Sequence, residues 1–122
     1  MEKFTITTAE NWIRTDIPNG VHMYKATGDM LQVQMLNDNV SEAEDKTLLQ
    51  ALADKYDGSP LEDVEMWGCK FHKTTYLAYG KVMTFYSGVK NGEQVKIQVS
   101  GKSYEENAEI KAMLESIIFT FH

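Results

Sequence analysis

The sequence predicts an α+β fold, or a layered α/β sandwich, built on a mainly antiparallel sheet. Three observations predict it. Asn91-Gly92, the strongest short-range hairpin signal, separates two strand-like runs at 81–90 and 93–100. Apolar residues recur at helical spacing in two stretches, 42–56 and about 104–116. The resulting order is strands, helix, antiparallel strands, helix, strand.

Taken in order, Phe4-Thr5-Ile6-Thr7 alternates as a strand should. After Glu10-Asn11-Trp12-Ile13, the run Pro18-Asn19-Gly20 marks a turn. A short apolar stretch at 21–26 leads through Gly28-Asp29 to a strand at 30–36. Ser41 is a natural N-cap for the helix 42–56, and Glu44 completes a capping box by reaching back to the cap's backbone N–H. Leu48, Leu52 and Tyr56, with Leu49 alongside, give that helix its expected apolar stripe. Gly58 stands where a left-handed cap belongs, and Pro60 prevents continuation. Asn39-Val40-Ser41 also matches a glycosylation sequon, a motif with meaning only in a secreted chain.

The middle, 61–100, is rich in strand patterns. Val95, Ile97 and Val99 alternate with Gln94, Lys96 and Gln98, as in a half-buried antiparallel strand. A two-residue turn at Asn91-Gly92 sets the register: Tyr86 opposite Ile97, and Thr84 opposite Val99, on the apolar face. Met83, Phe85 and Val89 then share the second face with polar residues of the partner strand, which predicts partial cover by a helix or a partner. In the last helix Ile110, Met113, Leu114 and Ile117 form the buried stripe, and 118–121 reads as a closing strand.

The 122 residues predict a single globular domain, 1–122, large enough for a core without staples. Hydrophobic residues at 43% and charged residues at 25% fit an ordinary globular chain and exclude a disordered one. No apolar run approaches the roughly 18 residues of a membrane span. The N-terminus enters strand alternation without a signal-peptide pattern, so a cytoplasmic protein is expected; a leader ahead of residue 1 would place it in the periplasm or outside the cell. Twelve basic against eighteen acidic side chains leave a net charge of −6, and Arg14 is the sole arginine, which argues against nucleic acid as a partner. The single cysteine, Cys69, rules out an internal disulfide and a four-thiolate metal site.

Three motifs invite a chemical reading. Gly101-Lys102-Ser103 follows a strand and precedes a helix, yet a phosphate-binding loop needs glycine five residues before Gly101, where Lys96 stands. Ser103 with Glu106 reads instead as a second capping box. Cys69 and His72 have the spacing of two zinc ligands, but a closed site needs four. On a strand, Cys69 faces the core with Trp67 and Phe71, while His72 faces solvent or the opposite layer. A hydrolase would need a histidine such as His22 brought to Cys69, or a carboxylate pair drawn from Glu62, Asp63 and Glu65 or from Glu105, Glu106 and Glu109. The first acidic group reads as a solvated edge, and the second suits the first turns of a helix. Trp67, Tyr76, Tyr79, Phe85 and Tyr86 all fall in expected strands and read as packing, with an aromatic ligand groove as the alternative.

The element order also resembles a known family. Phe4-Thr5-Ile6-Thr7 followed by Trp12, a mid-chain helix at 42–56, a long antiparallel meander and the ending AMLESIIFTF together resemble the PsbP-like superfamily, with its DcrB-type bacterial members. Ser116-Ile117-Ile118-Phe119 is the better match, whereas Ala9-Glu10-Asn11-Trp12 lacks the proline of the Pro-x-x-Trp start found in bacterial members. The resemblance implies an α/β/α sandwich with helices on both faces of the sheet. It further implies an accessory role exercised through protein partners, without catalysis, and it carries over no functional residue.

The functional expectation is therefore a non-catalytic, protein-binding accessory domain with no cofactor, metal or catalytic set. Its expected partner surface is Met83, Phe85, Val89 and Lys96. The alternatives are a small-molecule or lipid carrier using the aromatic groove, and a hydrolase using Cys69 or carboxylates.

Overall fold

The structure is a computed structural model that describes residues 4–119. In chain order the strands are β1 (Phe4–Thr5), β2 (Ile13–Ile17), β3 (Gly20–Tyr24) and β4 (Met30–Asp38). Helix α1 (Glu42–Tyr56) follows, then β5 (Glu62–Met66), β6 (Cys69–Ala78), β7 (Lys81–Lys90) and β8 (Glu93–Ser100). A 3₁₀ turn at Tyr104–Glu106 leads to α2 (Ala108–Glu115) and β9 (Ile118–Phe119). The closing strand expected at 118–121 is seen as far as Phe119; Thr120 and Phe121 lie outside the described residues.

Seven strands form one sheet in the order β2-β3-β4-β8-β7-β6-β5, and β1 pairs with β9 in a small second sheet. Every described ladder is antiparallel, and α1 and α2 cover opposite faces, so the fold is α+β. Turn chemistry explains the meander β5–β8. Its three turns are Trp67-Gly68, Tyr79-Gly80 and Asn91-Gly92, and all six residues have positive φ. That is the two-residue hairpin turn whose twist matches the flanking strands. The register around Asn91-Gly92 pairs Tyr86 with Ile97 and Thr84 with Val99, as the turn predicts. Trp67 and Tyr79 were expected within strands. They occupy turns instead, because the glycine after each supplies the second left-handed residue.

Pairing along the sheet divides the side chains into two sets. Leu31, Val33, Val95, Ile97, Val99 and Tyr86 point to one side and are sealed beneath Ile110, Met113 and Leu114 of α2. Fully burying an aliphatic side chain stabilises by roughly 1.5–3 kcal/mol, so this layer supplies most of the driving force. Gly88 is required here, since a Cβ would lie 2.6 Å from the Phe71 ring.

Helix α1 starts as the sequence predicts: the Ser41 hydroxyl accepts from Glu44 N–H, and the Glu44 carboxylate accepts from Ser41 N–H. Its buried face differs from the expected stripe. Asp45, Leu49 and Ala53 face the sheet, whereas Leu48 is 50% exposed. The helix is rotated because Asp45 accepts hydrogen bonds from Ser87 and Gln94 on the sheet. The left-handed cap is Asp57 (φ 54) and not Gly58. Gly58 is needed for contact, since a Cβ would meet the Thr74 hydroxyl at 2.4 Å.

The last helix is also two pieces where one was expected. Ser103 caps only the 3₁₀ turn, and the Asn107 side chain caps α2 by accepting from Glu109 and Ile110 N–H. An extended Asn107 breaks the continuous helix because its own amide is the better cap. Among the described residues, no helix is long and apolar enough to cross a membrane.

Candidate functional site

The α1 side of the sheet has two unlike halves. Over β6 and β7 the helix packs closely. Tyr76 and Phe85 stack with ring centres 4.9 Å apart, and Tyr56 of α1 lies against both. Burial pushes the Tyr76 hydroxyl above its ordinary pKa, partly offset by its hydrogen bond from Gln98. Tyr76 and Phe85 thus pack on each other and on Tyr56, the reading the sequence favoured over an aromatic groove. Beside them, at the β6–β7 end of the sheet, an open pocket of about 410 Å³ is lined by Tyr56, Leu77, Val82 and Lys102, among others.

Among the described residues, neither helix packs extensively on β2, β3, β4 or the far part of β8 on this side. The strand ladders set Thr15, His22, Gln32 and Gln98 in one cross-strand row, with Gln34 and Lys96 in the next. Their side chains bond along the surface: His22 with Gln32 at 3.1 Å, Gln32 to Gln34 at 3.2 Å, and Gln34 to the Pro18 carbonyl at 3.1 Å. Tyr24 and the half-exposed Ile13 flank the amides, so the surface is a flat platform of ordered polar groups with an apolar margin. Such a platform presents donors and acceptors already fixed in place, which lowers the ordering cost of binding.

The four residues expected to meet a partner fall on both sides of this boundary. Met83 is buried and Phe85 is half-buried against Tyr76 and Tyr56, so the chain's own helix covers them. Val89 is half-buried opposite Gln94. Lys96 pairs with Ser87 on one side and Gln34 on the other, at the edge of the uncovered half. Sequence reasoning named His22 only as a possible partner of Cys69 and did not single out Gln32 and Gln34. The alternation Gln32-Val33-Gln34 beside Lys96-Ile97-Gln98 is the signal that places them together.

The chemical candidates are dispersed or occupied. His22 and Cys69 lie on opposite faces of strands four positions apart, on the order of 19 Å at the usual strand spacing. Among the described residues no three His, Cys, Asp or Glu side chains are grouped to hold a metal ion. Glu62 pairs with Lys73, and Asp63 with His72 and Lys70, across β5 and β6. Glu109 accepts from Lys25 at 2.7 Å and from the Trp12 indole at 3.0 Å, and those bonds hold its carboxyl below the usual range.

One row was not anticipated: Asp63, His72 and Ser87 are consecutive cross-strand neighbours. It has the residue types of an acid–base–nucleophile set, with Asp63 at 3.1 Å from His72 Nε2. Ser87, however, donates to Asp45 and is only 1% exposed beneath α1. A hydroxyl sealed there cannot meet a substrate, and Ser87 instead ties the sheet to α1.

No family model matches the chain, and no curated protein does. Among solved structures it is similar to the solution structure of PsbP from the cyanobacterium Synechocystis sp. PCC 6803. The TM-score is 0.56 over 98% of this chain and 94% of that one, at 9% sequence identity. The fold is PsbP-like. At that identity the likeness resides in architecture, and no residue's role follows from it. The PsbP-like arrangement agrees with the helices on both faces and with the mixed second face of the hairpin.

Proposed function

We propose that the chain is a non-catalytic accessory module that binds another protein through the uncovered half of the α1-side sheet face. The observation behind this reading is that α1 packs mainly on β6 and β7 and reaches β8 only at Gln94, leaving the His22–Gln32–Gln98 row and Lys96 beside Tyr24 and Ile13. The PsbP-like architecture supports an accessory role. Of the surface expected from sequence, Lys96 stays in the contact zone, while Met83, Phe85 and Val89 form the packing next to it.

The test is a cross-linking pull-down comparing the native chain with a Gln32→Ala, Lys96→Glu double variant. A partner captured by the first and lost by the second, at unchanged melting temperature, is the expected result. Equal capture by both, or a measurable turnover in place of capture, overturns the reading.

A second reading, small-molecule carriage, rests on the 410 Å³ pocket beside Tyr56 and Lys102, a volume within the usual range for ligand sites. Native mass spectrometry of freshly purified protein distinguishes the two: a co-purifying ligand displaced by Leu77→Lys favours carriage.

A further inference from the structure

We propose that the chain self-associates through the free edge of β2, two copies pairing antiparallel about Thr15. This inference is independent of the accessory reading. The β2–β3 hairpin closes through Pro18-Asn19, with Ile17 opposite Gly20, Thr15 opposite His22 and Ile13 opposite Tyr24. In a hairpin with a two-residue turn the closing pair exchanges backbone bonds, and pairs alternate from there. Ile17, Thr15 and Ile13 therefore direct their backbone groups to β3. The N–H and C=O groups of Arg14 and Asp16 point away from it, and among the described residues they have no backbone partner.

The five residues Ile13-Arg14-Thr15-Asp16-Ile17 are complementary to their own reverse. With Thr15 on a two-fold axis, Arg14 of each copy stands opposite Asp16 of the other, and Ile13 opposite Ile17. Arg14 and Asp16 are also the residues with outward backbone groups, so the opposed pairs exchange four hydrogen bonds. Centring the pair on Arg14 or on Asp16 would set a charge against its own kind. Backbone phase and side-chain charge thus select the same register. At present Arg14 Nε bonds Asp16 within the chain at 3.3 Å, and pairing exchanges that contact for an intermolecular one.

The edge is bounded at both ends. Trp12 N–H is already donated to the Ala9 carbonyl, and Pro18 has no N–H to give. Pairing therefore stops after one short segment, which makes a reversible dimer and no fibre. On the α1 side the half-exposed Ile13, beside Tyr24, would meet Ile17 of the second copy. The opposite edge fails the same test: about Val64, β5 would set Asp63 against Glu65.

Pairing through one five-residue edge belongs to the small, weak and transient class of interface. Sedimentation equilibrium from roughly 10 µM to 1 mM should show concentration-dependent dimer. Asp16→Pro removes one outward N–H and none directed to β3, and should weaken association at least tenfold. Arg14→Asp alone should weaken it similarly, and adding Asp16→Arg should restore it. In the unaltered protein, amide exchange at Arg14 and Asp16 should slow as concentration rises. A monomer throughout the range, failure of the charge exchange to restore dimer, or concentration-independent exchange at those two amides overturns the proposal.

Discussion

On the α2 side of the sheet, Leu31, Val33, Val95, Ile97 and Val99 are sealed from solvent, while the intervening residues Gln32, Gln34, Lys96 and Gln98 lie half-buried on the other side. The same two strands thus present a closed apolar layer in one direction and a polar platform in the other. The α2 layer is governed by burial, which is non-directional, so its residues need only fit by volume. The α1 side is held by directed bonds, from Ser87 and Gln94 to Asp45, and by the stacked Tyr76 and Phe85 rings with Tyr56 tilted against them. Stability is therefore concentrated on one side, and the other is the side on which we propose recognition.

Substitutions on the two sides should differ accordingly. The largest effect is expected for Ile97→Ala beneath α2, about 3–4 kcal/mol of lost stability in urea unfolding, because the rigid layer cannot close the cavity. Asp45→Ala deprives Ser87 and Gln94 of their shared acceptor and should cost about 2 kcal/mol by the same measurement. A loss under half of that would show that α1 docks by apolar contact alone.

A smaller effect concerns pH. Glu109 is held below its ordinary pKa of 4.5 by Lys25 and Trp12, so the folded state binds its proton less readily than the unfolded chain. Its stabilisation is present above that ordinary value and disappears as pH falls through the folded one. Glu109→Gln should flatten the acid arm of melting temperature against pH. Tyr76 is raised, so its contribution holds below pH 10 and fades as pH climbs through the higher folded value. The smallest effect belongs to the platform: Gln32→Ala should change stability by under about 0.5 kcal/mol in the same unfolding assay.

Local signals made much of the fold legible. Asn91-Gly92 fixed the central register because two-residue turns admit few geometries, and Ser41 with Glu44 fixed the start of α1. What escaped depended on partners distant in the chain. Nothing near Asp45 announces that Ser87 and Gln94 will receive it, so the apolar stripe at Leu48 was favoured over the face the helix buries. Trp67 and Tyr79 looked like strand residues because aromatics rarely accept positive φ, yet Gly68 and Gly80 after them were the better guide. The platform was half visible as the polar parity of β8. Its completion by His22, Gln32 and Gln34 required knowing that β4 lies beside β8.

That β4–β8 ladder has a kinetic consequence. The four meander strands close through short turns and can zip locally, and β2–β4 can do the same. Joining them pairs Leu31 with Val99, with most of the chain looped between. Loop closure of that kind raises the contact order and slows folding. Two pre-formed hairpin units should therefore meet in the rate-limiting step, with substitutions at Val33 and Ile97 slowing folding while those at the turn tips mainly speed unfolding.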